Sequence, residues 1–175
     1  LRLNPTKGIS AAQRIADISL DELEGMLIEN SDEPYAYEVA KAVIDSRRRE
    51  KIETTTQLRE IIEKALQFLP AKERKDEIKK CCARTFQALR IDVNSEFEVL
   101  YDFLEKLPDA LNPGGRVAIL TFHSGEDRLV KKSFKALKKA GIYSDVANEV
   151  IRPSREECNM NPRAKSTKMR WAVKL

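Results

Sequence analysis

The sequence predicts a helix-rich α/β protein. Between residue 9 and about residue 80, apolar residues recur at helical spacing in four segments, and no strand-like alternation occurs. Residues 116–122 are then a strand-length apolar run leading directly into another helical pattern, and residues 168–175 alternate basic and apolar over most of their length, as a half-buried strand does. The predicted order is a linker at 1–8, a helical sub-domain at 9–80, and a domain at 81–175 with helix, strand, helix, strand and strand.

Capping residues mark where the first four helices begin. A Ser or Thr hydroxyl accepts a hydrogen bond from the first turn, and Pro is favoured at the first helical positions. In chain order these residues are Ser10, Ser19 with Glu22 three positions later, Pro34 and Thr54. We expect the third helix to end near Arg49 and the fourth near Leu69, before Pro70.

The later elements follow from one long helical pattern and a change after it. Apolar residues keep helical spacing over residues 76–107, with a break expected near Asn94. Pro and Gly at 112–115 predict a tight turn before the first strand. Ser124 and Asp127 then predict the cap of a helix that Gly141 ends, and residues 150–152 are a short strand candidate.

Charge is distributed unevenly along the chain. Residues 1–112 carry 18 Lys and Arg against 22 Asp and Glu, whereas residues 113–175 carry 14 against 6. A positive C-terminal third favours a polyanionic partner, with nucleic acid ahead of membrane, although a solvated lysine-rich surface has the same composition. Three cysteines give neither a disulfide framework nor a metal-ligand spacing, and no apolar run is long enough to span a membrane, so we expect a cytoplasmic protein.

His123 and Ser124 lie where the predicted strand meets the next helix. A helix N-terminus there offers free backbone N–H groups to a phosphate or a base edge. The alternative is a structural histidine, since His123 is the only histidine and no hydrolase-like order of Ser, His and Asp surrounds it. No catalytic residue and no metal ligand is assigned.

Two further sets of polar residues are candidates for RNA or substrate contact. The first shares one helix face, which is either a surface for phosphates and base edges or a solvated face. The second lies in a basic loop before the last strand. With the junction, the candidates are Arg84, Gln87, Arg90, Asn94, His123, Ser124, Arg128, Asn161, Arg163, Lys165, Ser166 and Lys168.

Four motifs follow one another along the chain: Arg84-Thr85-Phe86-Gln87-Ala88-Leu89-Arg90-Ile91 with Val93-Asn94, Pro113-Gly114-Gly115-Arg116, Phe122-His123-Ser124 with Glu126-Asp127-Arg128 and Val130-Lys131, and Asn161-Pro162-Arg163-Ala164 with Ser166 and Lys168. In order and spacing they resemble a bacterial family of S-adenosylmethionine-dependent methyltransferases that modify the N4 atom of a cytosine in small-subunit ribosomal RNA. One departure is Gly125, where many members carry Leu, and it predicts a looser turn after His123.

The resemblance implies a fold and a role. The fold would be the C-terminal part of a Rossmann-like methyltransferase sheet with a mostly helical inserted sub-domain that helps to engage RNA. The family places its glycine-rich cofactor loop ahead of these motifs, so we expect S-adenosylmethionine to serve the complete enzyme and not to bind this chain alone.

We therefore expect a portion of an rRNA methyltransferase that is inactive by itself. Its expected partners are small-subunit rRNA or the ribosomal subunit, with a separate N-terminal half or a second copy as further options. An incomplete sheet should leave an unpaired apolar edge that favours self-association. The alternative is a non-catalytic RNA-binding or ribosome-assembly module derived from the same family.

Overall fold

The computed structural model describes all 175 residues and is a helix-rich α/β fold. Its contacts divide the chain into two compact units, Leu1–Ser95 and Glu96–Leu175. The predicted boundary after residue 80 lies inside one continuous helix, which packs against three other helices of the first unit. The elements are α1 (Ala11–Asp17), α2 (Leu20–Ser31), α3 (Ala36–Arg47), α4 (Thr55–Ala65), α5 (Ala71–Asn94), α6 (Glu96–Ala110), β1 (Arg116–Thr121), α7 (Ser124–Lys139), β2 (Tyr143–Val146), α8 (Arg155–Met160), a 3-10 helix (Pro162–Ser166) and β3 (Lys168–Lys174).

Three of the four predicted helix starts in the first unit are confirmed. The prediction for Pro34 is wrong, because α3 begins at Ala36 with Tyr35 as its N-cap, which leaves Pro34 outside the first turn. Ser10, Ser19 and Thr54 each accept a backbone hydrogen bond from the third helical residue, whose side chain returns one to the cap. The predicted ends were too late, because α3 ends at Arg47 and α4 at Ala65. The helices enclose an apolar core that includes the fully buried side chains of Leu27, Val39, Ile62, Leu66 and Leu89.

The predicted break in the long helical pattern is confirmed at Ser95. This residue adopts a left-handed conformation with φ of 49°, and it separates α5 from α6. Its backbone N–H bonds to the carbonyl of Asp92, as is common where a helix ends.

The second unit contains a three-stranded antiparallel sheet in the order β1-β3-β2. Since β3 runs antiparallel to both neighbours, β1 and β2 run parallel to each other and α7 connects them. The strand predicted at residues 150–152 is wrong, because only Ile151 pairs there, in an isolated bridge to Met169. The strand that completes the sheet is β2, whose middle residues Ser144 and Asp145 are exposed, so its four residues carry too little apolar alternation to identify it.

Helix α7 packs against one face of this sheet, and the other face is exposed within this unit. Val117 and Ile119 point to the side on which Val130 and Phe134 of α7 form the core. The alternate residues of β1 face away, and 57% of Leu120 is exposed. The outer edges of β1 and β2 have no strand partner. Both edges and one face of the sheet are thus open within this unit, and the exposed apolar residue Leu120 lies on β1, whereas the exposed residues of β2 are polar.

No helix of the protein combines the length and the apolar character needed to cross a membrane.

We predict that Tyr143→Phe leaves the second unit as stable as before or stabilises it by up to ~1 kcal/mol. The Tyr143 hydroxyl is buried without a hydrogen-bond partner, and burial raises its pKa. The ring, which packs edge-on against Phe134, is retained. Urea unfolding followed by the fluorescence of Trp171, the only tryptophan, measures the effect. Phe134→Ala is the contrasting control and should cost about 3–5 kcal/mol. A loss above about 1 kcal/mol in Tyr143→Phe would contradict the assignment of an unpartnered hydroxyl.

Candidate functional site

The junction between β1 and α7 is built around His123, which is the N-cap of α7. Its backbone is extended, with φ of −138° and ψ of 169°, and its Nδ1 accepts a hydrogen bond from the Glu126 N–H at 3.4 Å. In return, Oε2 of Glu126 accepts from the N–H groups of Phe122 at 2.8 Å and His123 at 3.4 Å. The predicted Ser124 cap was wrong by one residue, since Ser124 is already helical and the reciprocal partner is Glu126 rather than Asp127.

Asp127 instead links the first turn of α7 to the central strand, β3, through an ion pair. Its carboxylate accepts two hydrogen bonds from Arg170, at 2.7 Å from Nε and 3.1 Å from Nη2, and both side chains are largely buried. Burial alone would raise the pKa of Asp127. The hydrogen bonds and charge of Arg170, with Lys168 and Lys131 nearby, outweigh that effect and hold the pKa below its usual range.

Gly125 allows a close aromatic contact at the same junction. A Cβ atom on Gly125 would lie 2.5 Å from Cζ of Phe97, and the Phe97 ring also packs against the His123 ring with 5.8 Å between centroids. The space left by the missing side chain is therefore occupied by Phe97. The expectation of a looser turn did not consider this contact from α6.

Three groups of the kind that bind divalent metals meet here. Glu96, His123 and Glu126 each have one donor atom within 4.8 Å of the others. The capping hydrogen bonds already use Nδ1 of His123 and Oε2 of Glu126, and His123 Nε2 lies 3.5 Å from Oε1 of Glu126. This arrangement works as a helix cap without an ion.

The predicted polar face of α5 lies in the first unit, where it forms contacts within the chain. Arg84 donates to the fully buried carboxylate of Glu33, with Nε 2.7 Å from Oε2. Gln87 donates weakly to the carbonyl of Asn30 at 3.4 Å. Arg84 is thus an internal counter-charge, because removing it would leave a buried carboxylate without its cation.

Asn94, at the end of the same helix, holds the start of the chain. Its Oδ1 accepts from the Leu3 N–H at 2.8 Å, and its Nδ2 donates to the carbonyls of Leu1 and Arg90. Arg90 itself is exposed. Of the four predicted residues on α5, Arg90 is exposed and the other three are half-buried.

The basic loop before β3 lies at the same end of the sheet as His123. Lys168 pairs in register with Thr121, so the loop enters the sheet where β1 leaves it. Asn161 caps the 3-10 helix by accepting from the Arg163 N–H, and Ala164 is buried. Six of the predicted site residues are exposed at this end of the sheet: Ser124, Arg128, Asn161, Arg163, Lys165 and Ser166.

Sequence reasoning missed the residues that position this junction. The His-x-x-Glu spacing is a local signal that could have identified Glu126 as the capping partner. Asp127 and Arg170 are 43 positions apart, and no local pattern connects them.

The sequence profile of the MraW methylase family matches residues 1–175. The chain belongs to that family. Among its relatives, a "Ribosomal RNA small subunit methyltransferase H 1" of Lachnoclostridium phytofermentans is 68% identical over 175 residues, covering 99% of this chain and 48% of the relative. A protein of the same name from Agathobacter rectalis is 69% identical, with 99% and 50% covered. A "Ribosomal RNA small subunit methyltransferase H" of Finegoldia magna is 35% identical over 190 residues, with 100% and 60% covered. The chain spans about half the length of the first two of these curated relatives.

We predict that Asp127→Asn destabilises the second unit by about 3 kcal/mol at neutral pH, because Arg170 is left buried with a weaker partner. The folded-state pKa of Asp127 is lowered, so the ion pair contributes fully above the unfolded value near ~3.9 and is lost as the pH falls below it. Urea unfolding at several pH values should show the difference between wild type and variant shrinking in acid. Asp145→Asn is the control, since its partner Lys138 and Asp145 itself are exposed and little should change. Equal effects of the two variants would refute the role given to Asp127.

We also predict that Gly125→Leu destabilises the same unit by about 1–3 kcal/mol, because the new side chain meets the Phe97 ring. Combining it with Phe97→Ala should remove part of this cost, giving a coupling energy of at least about 0.5 kcal/mol in a double-mutant cycle. Additive effects in the urea unfolding of the three variants would show that the two residues do not share this space.

Proposed function

We propose that this chain is the substrate-side portion of an S-adenosylmethionine-dependent methyltransferase that modifies the N4 atom of a cytosine in small-subunit rRNA. The names of the relatives support the methyltransferase and its rRNA substrate. The match of the chain to about half of their length supports the idea that other residues complete the enzyme. On this proposal the chain alone does not transfer a methyl group.

The observation that carries the proposal is the open sheet of the second unit. Its order is β1-β3-β2, with the antiparallel β3 between two parallel strands, and the far edge of β1 is unpaired. Leu120 is exposed on the uncovered face, and Phe122 at the end of β1 is also exposed. An unpaired edge next to exposed apolar side chains favours the addition of further strands. We infer that the complete enzyme continues the sheet beyond β1 as a Rossmann-like methyltransferase domain.

The residues present do not fit S-adenosylmethionine. In such folds the cofactor lies against a glycine-rich turn between a strand and a helix. The turn between β1 and α7 consists of Phe122 and His123, and the start of α7 is closed by its own capping box. The connection between β2 and α8, residues 147–154, contains no glycine. Gly8, Gly114 and Gly141, the glycines with positive φ, do not lie between a strand and a following helix. The cofactor loop is therefore assigned to the other part of the enzyme.

This chain would position the RNA. Methyl transfer to an exocyclic amine requires its nitrogen lone pair to be aimed at the methyl group, so the base must be held in a fixed orientation. We propose that exposed groups at the His123 end of the sheet, Ser124, Arg128, Arg163, Lys165 and Ser166, contact the RNA there. His123 and Asn94 are proposed to hold neighbouring parts of the chain in place rather than to contact RNA. Their side chains already form hydrogen bonds within the chain.

The helical unit is proposed to support the same substrate. Arg90 on α5 is exposed and is proposed to contact a phosphate or a base, and Arg84 stabilises the unit through Glu33. No separate catalytic duty is assigned to this unit.

A chimera tests the proposed function. The part of the Lachnoclostridium phytofermentans relative that this chain does not match is joined to residues 1–175, and the intact relative is the positive control. We predict that the chimera transfers labelled methyl groups to small-subunit rRNA and yields N4-methylcytidine by nucleoside mass spectrometry. The chain alone should give no transfer and no S-adenosylmethionine binding in calorimetry. Micromolar binding of S-adenosylmethionine by the chain alone would overturn the proposal that the cofactor site lies in the other part of the enzyme. A folded chimera that binds RNA without methylating it would favour the non-catalytic module.

A further inference from the structure

Helix α7 has two chemically opposite faces. Val130 and Phe134 are buried against the sheet, with 0% and 2% exposure. On the opposite face, every long side chain is cationic. These are Arg128, Lys131, Lys132, Lys135, Lys138 and Lys139.

Most of this positive charge is not neutralised within the protein. Lys138 pairs with Asp145 at 2.7 Å, whereas Lys131, Lys132, Lys135 and Lys139 are exposed and form no ion pair. The two acidic residues of α7 are engaged at its start, Glu126 in the cap and Asp127 with Arg170. Acidic side chains on the outer face, which would make an ordinary solvated helix surface, are absent from α7.

Lys is a good helix former, but the electrostatics of the helix itself does not favour all of these lysines. The helix dipole favours cations only in the last turn, which accounts for Lys138 and Lys139. Lys131 and Lys135 lie before that turn and are four residues apart, as are Lys135 and Lys139. Like charges at this spacing destabilise a helix by about 0.2–0.5 kcal/mol per pair. An anionic partner would relieve this repulsion.

The spacing of the lysines fits an extended polyanion. Lys131, Lys135 and Lys139 follow one another at a rise of about 6 Å, since each helical residue rises ~1.5 Å. Lys168 pairs in register with Thr121 at the end of β1, next to the first turn of α7, so positive charge continues beyond the start of the helix. A line of point charges suits a phosphate backbone rather than a single small anion.

We propose that the outer face of α7, formed by Lys131, Lys132, Lys135 and Lys139, binds the phosphate backbone of an RNA helix independently of its sequence. The choice of RNA rests on the proposed function, and the contact extends the RNA surface well beyond the His123 end of the sheet. A membrane surface fits less well, because the cationic face carries no exposed aromatic or large apolar side chain to insert between lipids. The contact supplies affinity and leaves recognition of the target base to other residues.

The test compares two triple variants of the full 175-residue chain. Lys131→Gln/Lys135→Gln/Lys139→Gln removes three charges from α7. Lys51→Gln/Lys64→Gln/Lys75→Gln removes three exposed lysine charges from the first unit and is the control for net charge. Binding of a fluorescein-labelled small-subunit rRNA hairpin is measured by anisotropy between about 50 and 200 mM salt.

We expect the α7 variant to bind more weakly and to depend less on salt. Losing three phosphate contacts should reduce the slope of log affinity against log salt by about 2–3. Over this salt range the wild type should therefore lose about 40-fold more affinity than the α7 variant. The control variant should keep a slope close to wild type. A matching Lys→Arg triple on α7 keeps the charge and should keep the binding, with circular dichroism and Trp171 fluorescence verifying the fold of each variant.

Three outcomes would overturn this inference. The first is an unchanged slope in the α7 variant, and the second is an equal change in both Gln variants. The third is that the wild-type chain binds phosphatidylserine vesicles but not the hairpin, and that the α7 variant loses the vesicle binding. Each outcome is independent of methylation by the chimera, so a failed α7 surface and a failed methyltransferase assignment give different results.

Discussion

The ion pair between Asp127 and Arg170 positions the features of the second unit on which its function depends. Arg170 lies on β3, the strand that pairs with both of its neighbours, and Asp127 lies in the first turn of α7. Their two hydrogen bonds fix the start of the helix on the middle of the sheet. The His123 cap and the contact of Phe97 with Gly125 lie at the same first turn of α7.

The first unit also contains a buried ion pair between residues that are distant in sequence, and it stabilises the helical unit. Arg84 on α5 neutralises the buried Glu33, which follows α2, and the two residues are 51 positions apart. Asn94 ties the start of the chain to the end of the same helix. Residues that look suited to RNA in the sequence therefore include some whose side chains are needed to assemble the helical unit. The distinction matters for mutagenesis, because losing RNA binding through Arg84 would be difficult to separate from loss of the fold.

The second unit presents opposite chemistry on its two sides. One side is the uncovered face of the sheet, with Leu120 and the unpaired edge of β1. The other side is the lysine face of α7. Under our proposals the first side accepts the rest of the methyltransferase and the second side accepts RNA. This division explains how a small unit can connect the part that holds the cofactor with a large polyanionic substrate.

The sequence by itself determined the elements whose signals are local. The capping boxes at Ser10, Ser19 and Thr54, the break at Ser95 and the strand before His123 follow from interactions within a few residues, which a sequence pattern records directly. The tertiary structure alone decided the location of β2, the partner of Arg84 and the pairing of Asp127 with Arg170. No local sequence pattern identifies the distant partner of a residue in either ion pair. Their energies depend on burial, and burial exists only once the helices and the sheet have packed.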